Sequence, residues 1–517
     1  MKLTVDLFEN EYWWGGSVTD GTLMPLGKSS EFHRDFRKGH ISNQTMPLFL
    51  SNCGRYVWSE HCFSVTFSGG VATFEGEDLI LEVVGDSLRD AYLGAMKRHF
   101  PFDGNKLPDI FFETAQYNGW MQFMYDPTEE GVLEYARGIV ENGFTPGILM
   151  IDEGWQKSYG SWSFDPIKFP HPKDMVDKLH AMGFKVMLWI TPYVTCSGYD
   201  YVVNTLFQKN GEQLFMRNKD GDVSIIHWWN GYCAVLDMTK ECDREFLSKQ
   251  LDTLVNDFGV DGFKFDGGDV GVYRPRATVN GTPDDNATAE ERNDAWNRFG
   301  ARYKYHEYKD SYKQGGRNMI QRLSDKAHVW SGNGLQDILP ASLLQGLLGT
   351  PFICPDMIGG GEWSYFKYIA KSVADQELFV RMAQCSALLP MMQFSLSPWQ
   401  YLDEYHLKLC LDAAALHKKM APYIISLVRH AETSGEPIVR SLEYCYPHEG
   451  FATVTDCFLL GDRYLVAPVV VKDQTERTLT LPHGKWKYCN GQVFVGGTVT
   501  VPAPLDTLPY FERLEDQ

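Results

Sequence analysis

Three aspartates stand where an apolar run stops: Asp152 after Ile148-Leu149-Met150-Ile151, Asp266 after Phe263-Lys264-Phe265, and Asp356 after Phe352-Ile353-Cys354-Pro355. Carboxylates collected from the ends of separate strands can work as acids, bases or nucleophiles if a fold brings them to one rim. Lys264 precedes Asp266 by two residues, and side chains alternate along a strand, so these two polar groups point one way while Phe263 and Phe265 face the other. If the phenyl rings meet surrounding helices, the lysine looks inward and needs a partner. A Lys264/Asp266 ion pair in a barrel layer accounts for these residues as well as an active site does.

The elements that must position them are legible from periodicity. From about Leu107 to Tyr423, apolar strand-like runs alternate with long helical stretches, the pattern of parallel β/α units. The candidate strands are Ile110–Phe112, Gly147–Ile151, Lys185–Ile190, Gly262–Phe265, Asn318–Ile320, His328–Trp330, Pro351–Ile353 and Pro390–Phe394. Eight such runs would close a barrel with its chemistry at the carboxyl ends of the strands. On either side, short alternating segments broken by glycine read as antiparallel β structure, as in Phe63–Phe67 before Gly69-Gly70 and in Tyr464–Val471. The expectation is an α/β chain in three domains: an N-terminal antiparallel β-sandwich over residues 1–105, a (β/α)8 TIM barrel over 106–425, and a C-terminal β-sandwich over 426–517. The charged stretch from Asp284 to Lys313 reads as a solvated helix with its connecting loop.

Composition narrows the function classes. A chain of 517 residues exceeds what one core usually supports. Its 48 basic and 67 acidic side chains leave a formal charge of -19, which disfavours nucleic acid and anionic membranes as partners. The 11 cysteines show no C-x-x-C pair and no metal-ligand spacing, so free thiols are expected rather than disulfides or zinc. The opening Met1–Leu7 lacks the apolar run of a signal peptide and no later stretch approaches a membrane span, which leads us to expect a cytoplasmic protein.

Several phrases, taken together and in order, resemble glycoside hydrolase family 31: Phe263-Lys264-Phe265-Asp266-Gly267-Gly268-Asp269, Trp228-Trp229-Asn230-Gly231, Asp237-Met238-Thr239, Ile151-Asp152, and Thr350–Gly360 around Pro355-Asp356. The likeness runs from about Asp109 to Tyr510 and fades over the first hundred residues. It implies that Asp266 is the nucleophile. Most of the family carries its acid/base in a W-x-G-D phrase, but Trp330-Ser331-Gly332-Asn333 puts an asparagine there, which cannot donate the proton. One branch instead has Arg three residues before the catalytic Asp and Trp five after it, and Arg322, Asp325 and Trp330 reproduce that spacing, which implies Asp325. For the sugar, the resemblance implies Asp152 as a hydroxyl acceptor, Trp229 as a wall, Lys264 near the nucleophile and Arg322 as a donor. Asp356 is added to this set, and Asn118, with Tyr117 and Trp120, follows the first strand and could line the pocket. Trp189 reads as core. Where the family at large has an Arg-x-His phrase that binds sugar hydroxyls, this chain has Gln393-Phe394-Ser395.

The implied chemistry is retaining hydrolysis of a terminal α-linked hexose from a small glycoside or oligosaccharide, with α-galactosides preferred. One carboxyl attacks the anomeric carbon, while the other protonates the leaving oxygen and later deprotonates water. The acid must hold a proton near neutral pH, and burial or the neighbouring Asp266 would raise its pKa. Neither metal nor organic cofactor is expected. The alternatives are an α-glucosidase or transglycosylase of the same family and a catalytically inactive sugar-binding protein, and self-association stays open.

Overall fold

The computed structural model describes residues 1–38, 43–198, 214–362, 364 and 374–515. Its first hundred residues form two antiparallel sheets around one hydrophobic cluster. One sheet has the order Lys2–Asp6, Val71–Glu75, Ser64–Ser68, Phe32–Asp35, and the other is built on Gln44–Ser51, which pairs with both Trp13–Ser17 and Arg55–Trp58. Phe49, Phe63, Phe67, Phe74 and Trp13 interlock between them at centroid separations of 5.7–6.5 Å. At the other end of the chain, the described residues form a single six-stranded sheet rather than two. Its long strand Glu476–Tyr488 shifts register between Leu481 and Lys485, and such an irregularity bends a sheet, here around Trp486 and Phe511.

Between these regions lies a closed parallel barrel, whose strands we number β1–β8: β1 Gln116–Asn118, β2 Ile148–Ile151, β3 Lys185–Ile190, β4 Gly262–Phe265, β5 Tyr305–Tyr308, β6 Gln321–Arg322, β7 in two pieces, Ile353–Cys354 and Met357–Ile358, and β8 Gln393–Phe394. The first piece of β7 pairs with β6 and the second with β8, which pairs with β1, so the sheet closes across the break at Pro355-Asp356. Helices Glu129–Glu141, Pro172–Ala181, Glu241–Phe258, Ala289–Ala301, Leu335–Leu347, Gln376–Ala387 and Glu404–Ser434 follow strands as β/α repeats require. Thr128 caps the first of them through Gly131 N, and Thr288 with Glu291 forms a capping box on the fourth. The alternation expected in β4 holds, because Phe265 points outward onto Trp296 and Tyr308 at 5.3 and 4.9 Å.

Three expected strands are corrected. Ile110–Glu113 is a helical turn, and β1 begins six residues later; Phe111 and Phe112 pack on Tyr305 and Phe352, at the amino-terminal ends of β5 and β7, so the turn plugs the barrel floor. His328–Trp330 is irregular, and the fifth strand is Tyr305–Tyr308, which sits inside the stretch read as helix and loop. Asn318–Ile320 leads into β6 rather than forming it.

No helix follows β5. Instead Ser311–Tyr312 pairs in parallel with Gln44–Thr45, so the barrel lends a strand to the N-terminal sheet. The buried amide of Gln44 donates to the carbonyls of Lys309 at 2.6 Å and Arg322 at 3.0 Å, at the carboxyl ends of β5 and β6. Gln44→Leu removes both bonds from buried carbonyls, a loss of about 1–3 kcal/mol. Chemical denaturation should record that loss, together with reduced activity from misplaced β5 and β6 ends.

Candidate active site

At the carboxyl rim the strand ends surround a cavity of about 260 Å³ whose walls include Asp152, Glu153, Trp189, Trp229, Lys264, Asp266, Lys309, Arg322 and Asp325, with Trp120, Tyr125, Met357 and Glu362 completing it. Larger clefts exist elsewhere among the described residues, one of about 1080 Å³ between the N-terminal sheets and the helix Ala289–Ala301, but that cleft lies away from the carboxyl ends of the barrel strands.

Asp266 continues β4, its backbone N–H donating to Ile190 O at 2.9 Å. Its Oδ2 accepts from the Trp189 indole at 3.0 Å and its Oδ1 from Gly267 N at 2.8 Å. Gly267 and Gly268 both have positive φ, and a Cβ on either would lie 2.5–2.6 Å from the Tyr193 or Trp296 ring. Only glycine lets the chain turn away so abruptly behind this carboxylate. Burial alone would raise the Asp266 pKa, but Lys309, Lys264 and Arg322 outweigh it and hold the group below its usual range.

Lys264 does look inward, but its partner is Asp152, just past the end of β2 and across β3, at 2.6 Å, rather than Asp266. The other oxygen of Asp152 accepts from Glu153 N at 2.9 Å. Asp325 lies in the loop after β6, where its Oδ2 meets Lys309 Nζ at 2.9 Å and its Oδ1 meets Arg322 at 2.8 Å, while 27% of the side chain remains open. Burial works to raise its pKa, yet the two cations prevail and lower it. The expectation of an acid protonated near neutral pH is therefore corrected for the unliganded protein: both carboxyls of the pair are held as anions.

Asn333 is not among the residues that line the cavity. Its amide donates to the Asp325 carbonyl at 2.9 Å, and its backbone takes a positive φ. Two further expected site residues also lie behind the wall. Asp356, with φ +82°, turns away to bind Arg322 and accepts from Lys326 N at 2.6 Å, so it fixes the guanidinium from behind. Asn118 is fully buried, accepting from Trp120 N at 2.9 Å and donating to Gln393 at 3.3 Å. Gln393 in turn donates to Glu307 on β5 at 3.0 Å, and burial raises the Glu307 pKa beside Arg322.

Trp229 reaches the mouth through the β3 loop. Tyr193–Thr195, Gly231–Val235 and Ile225–Trp228 form a three-stranded sheet, and Trp229-Asn230 is the two-residue turn of its outer hairpin. The turn needs the left-handed Gly231 that follows it, and it leaves Trp229 54% exposed.

Sequence reasoning misses Lys309 and Glu153, and it reads as core Trp189, which is buried but also lines the cavity and donates to Asp266. Lys309 follows a strand of sequence Tyr-His-Glu-Tyr, whose polar residues hide it in a charged stretch. Glu153 follows Asp152 directly and is a visible carboxylate at a strand end. Its pKa is pushed up to about 7, chiefly by burial, with Asp152 and Asp266 adding to the effect against the hydrogen bond from Tyr159.

The description of the glycosyl hydrolases family 31 TIM-barrel domain matches residues 113–427, and that of the family's C-terminal domain matches 435–515. Among curated proteins, the myogenesis-regulating glycosidase of Mus musculus is 32% identical over 83% of this chain and 60% of its own length. Alpha-glucosidase 2 of Bacillus thermoamyloliquefaciens is 26% identical over 76% and 52%. Among solved structures, the Flavobacterium johnsoniae GH31 dextranase complexed with glucose superposes with a TM-score of 0.82 at 20% identity, covering 99% of this chain and 66% of that one. The chain thus spans between about half and two thirds of the length of these proteins.

Glu153 gives the site a pH-dependent stability of definite sign. Its folded pKa of about 7 lies above the ordinary 4.5, so its proton stabilises the fold fully below pH 4.5, and that contribution is lost as pH rises through 7. Melting temperatures measured from pH 5 to 8 should show Glu153→Gln gaining on the parent as pH increases, by up to about 3 kcal/mol.

Proposed function

The chain belongs to glycoside hydrolase family 31, and from that footing we propose that it is a retaining, exo-acting α-glycosidase, with Asp266 as nucleophile and Asp325 as acid/base. The observation that carries this reading is the meeting of these two carboxyls on one cavity wall, from the ends of β4 and β6, with Asn333 outside it. A volume of about 260 Å³ suits a single sugar ring, being just below the range of about 300–1,000 Å³ usual for ligand pockets. The flanking sheets are, in this reading, sandwich-like companions of a catalytic domain bounded near residues 105 and 425. Eleven unpaired cysteines support a reducing, cytoplasmic setting.

Asp266 attacks the anomeric carbon as the glycosidic C–O bond breaks, and Asp325 gives its proton to the departing oxygen. In the second step Asp325 takes a proton from water, whose oxygen displaces Asp266 from the ester. The anionic Asp325 of the unliganded site is already in the state the second step requires. The first step requires a proton on it, against the pull of Lys309 and Arg322. When Asp266 is esterified, its negative charge no longer competes with Asp325 for Lys309, which favours the basic form just when a base is needed. In this reading Arg322 donates to sugar hydroxyls and Trp229 stacks on a sugar face, while Asp152, expected as a hydroxyl acceptor, has its two oxygens engaged by Lys264 and by Glu153 N.

Within this class we place α-galactosides first, on the branch that the Arg322, Asp325 and Trp330 spacing resembles. The name of the Bacillus relative supports α-glucosides as the competing choice. A panel of aryl α-galactosides, α-glucosides and α-xylosides separates them, and NMR of the first-formed anomer checks retention. Asp266→Ala and Asp325→Ala should each lower kcat/KM by about 10³-fold or more, and a fluorinated glycosyl fluoride should label Asp266 as seen by peptide mass. Labelling of another residue, or full turnover without the Asp325 carboxyl, defeats the proposal.

Because Lys309 depresses the Asp325 pKa, kcat/KM should decline from an acidic optimum as pH rises and the acid loses its proton. Lys309→Met raises that pKa, so the alkaline limb of the pH profile should move to higher pH, and Lys309→Arg should leave it nearer the parent.

A further inference from the structure

Glu153 has hydrogen-bonding capacity that the two-carboxyl mechanism leaves unused. Three donors converge on one of its oxygens: Tyr159 OH at 2.5 Å, the Asn230 amide at 2.5 Å and the Trp229 indole at 3.4 Å, all to Oε1. Among the described residues no hydrogen bond reaches Oε2, although Glu153 is only 4% exposed and lines the cavity. The neighbouring Asp152 is the opposite case, with one oxygen on Lys264 and the other on Glu153 N. A buried carboxyl on the wall of a cavity, anchored through one oxygen and with no hydrogen bond to the second among the described residues, meets the requirement of a group built to receive a ligand donor.

We propose that Glu153 is a specificity-determining residue that reads one ring hydroxyl of the bound sugar through Oε2, and that Tyr159, Asn230 and Trp229 are the frame that aims it. This rests on the reading of the cavity as a sugar site and deepens it by naming the residue that accepts from the sugar. The ligand class is a neutral hexose with a free hydroxyl on the edge facing the β2 rim. A deoxy sugar lacking that hydroxyl leaves Oε2 buried without a donor, and a site built around a hydrogen bond discriminates strongly against such an analogue. The frame also ties selectivity to the β3 loop, because Trp229 and Asn230 are the hairpin turn while Tyr159 comes from the segment after β2. Like the raised pKa of Glu153, this placement concerns binding and needs no step of bond making.

The test is calorimetric titration at pH 8.5, where the Glu153 carboxyl is ionised, of galactose, glucose and their monodeoxy forms into the parent, Glu153→Ala, Glu153→Gln and Tyr159→Phe proteins, each first shown to melt cooperatively. The parent should bind one hexose at least 10-fold more tightly than one of its deoxy forms, which matches the weight of a charged hydrogen bond of about 1.5 kcal/mol or more. Glu153→Ala should bind the hexose about as weakly as the parent binds that deoxy sugar, with the discrimination gone. Tyr159→Phe should keep part of it. Unchanged discrimination in Glu153→Ala overturns the proposal, as does a parent protein that binds none of these sugars. Hydrolysis of an aryl α-glycoside by the parent, measured alongside, distinguishes the two readings: turnover with unchanged discrimination sinks the role of Glu153 and leaves the glycosidase reading standing.

Discussion

Three cations, Lys264 and Arg322 buried and Lys309 partly exposed, allow the rim of this barrel to exist. Lys264, Lys309 and Arg322 stand among Asp152, Asp266, Glu307, Asp325 and Asp356, and a set of carboxylates this dense could not share one dry cavity unaided. Each cation has a definite carboxylate contact: Lys264 with Asp152, Lys309 with Asp325, and Arg322 with Asp325 and Asp356. The acids outnumber the bases. The imbalance is resolved by unequal titration, because Asp266 and Asp325 are held low while Glu153, Glu307 and Asp356 are raised. The two groups held low are the pair to which we assign catalysis.

The same constraint explains the layering around the site. Arg322 can face the cavity only because Asp356 holds it from behind, and Asp356 reaches it by taking a left-handed backbone at the break in β7. Gln393 and Asn118 form a polar layer beneath, ending on Glu307. The N-terminal sheets take part as well, since Gln44 grips the backbone at both Lys309 and Arg322. Two of the three cations are thus positioned by a region in which the sequence carries no catalytic motif.

The wall of the cavity is divided by function. On the β4–β6 side sit the charged groups that would handle bond exchange. On the β2–β3 side Trp229, Tyr159 and Asn230 surround Glu153, where recognition of the sugar edge would take place. Aromatic and amide groups suit that task, because they present flat apolar faces and neutral donors without disturbing the charge balance opposite.

The strand-end aspartates, the alternation in β4, and the inward lysine follow from sequence, since a period of two and a run of apolar residues are local properties. The choice of Asp325 over Asn333 came from a family resemblance and not from a local property, and of the two only Asp325 lines the cavity. What the sequence could not settle was direction and partnership. Tyr305–Tyr308 is too polar to read as a barrel strand, so Lys309 at its end was invisible; Asp356 and Asn118 lie at the right places in the chain but point behind the wall; and Asp152 and Glu153 are neighbours of which one is consumed by an ion pair and the other left open. Apolar periodicity is written in the chain itself, whereas which carboxylate meets which cation depends on groups brought together from as far as 112 residues apart, and so only the closed barrel decides which acids are ionised and which are free to bind.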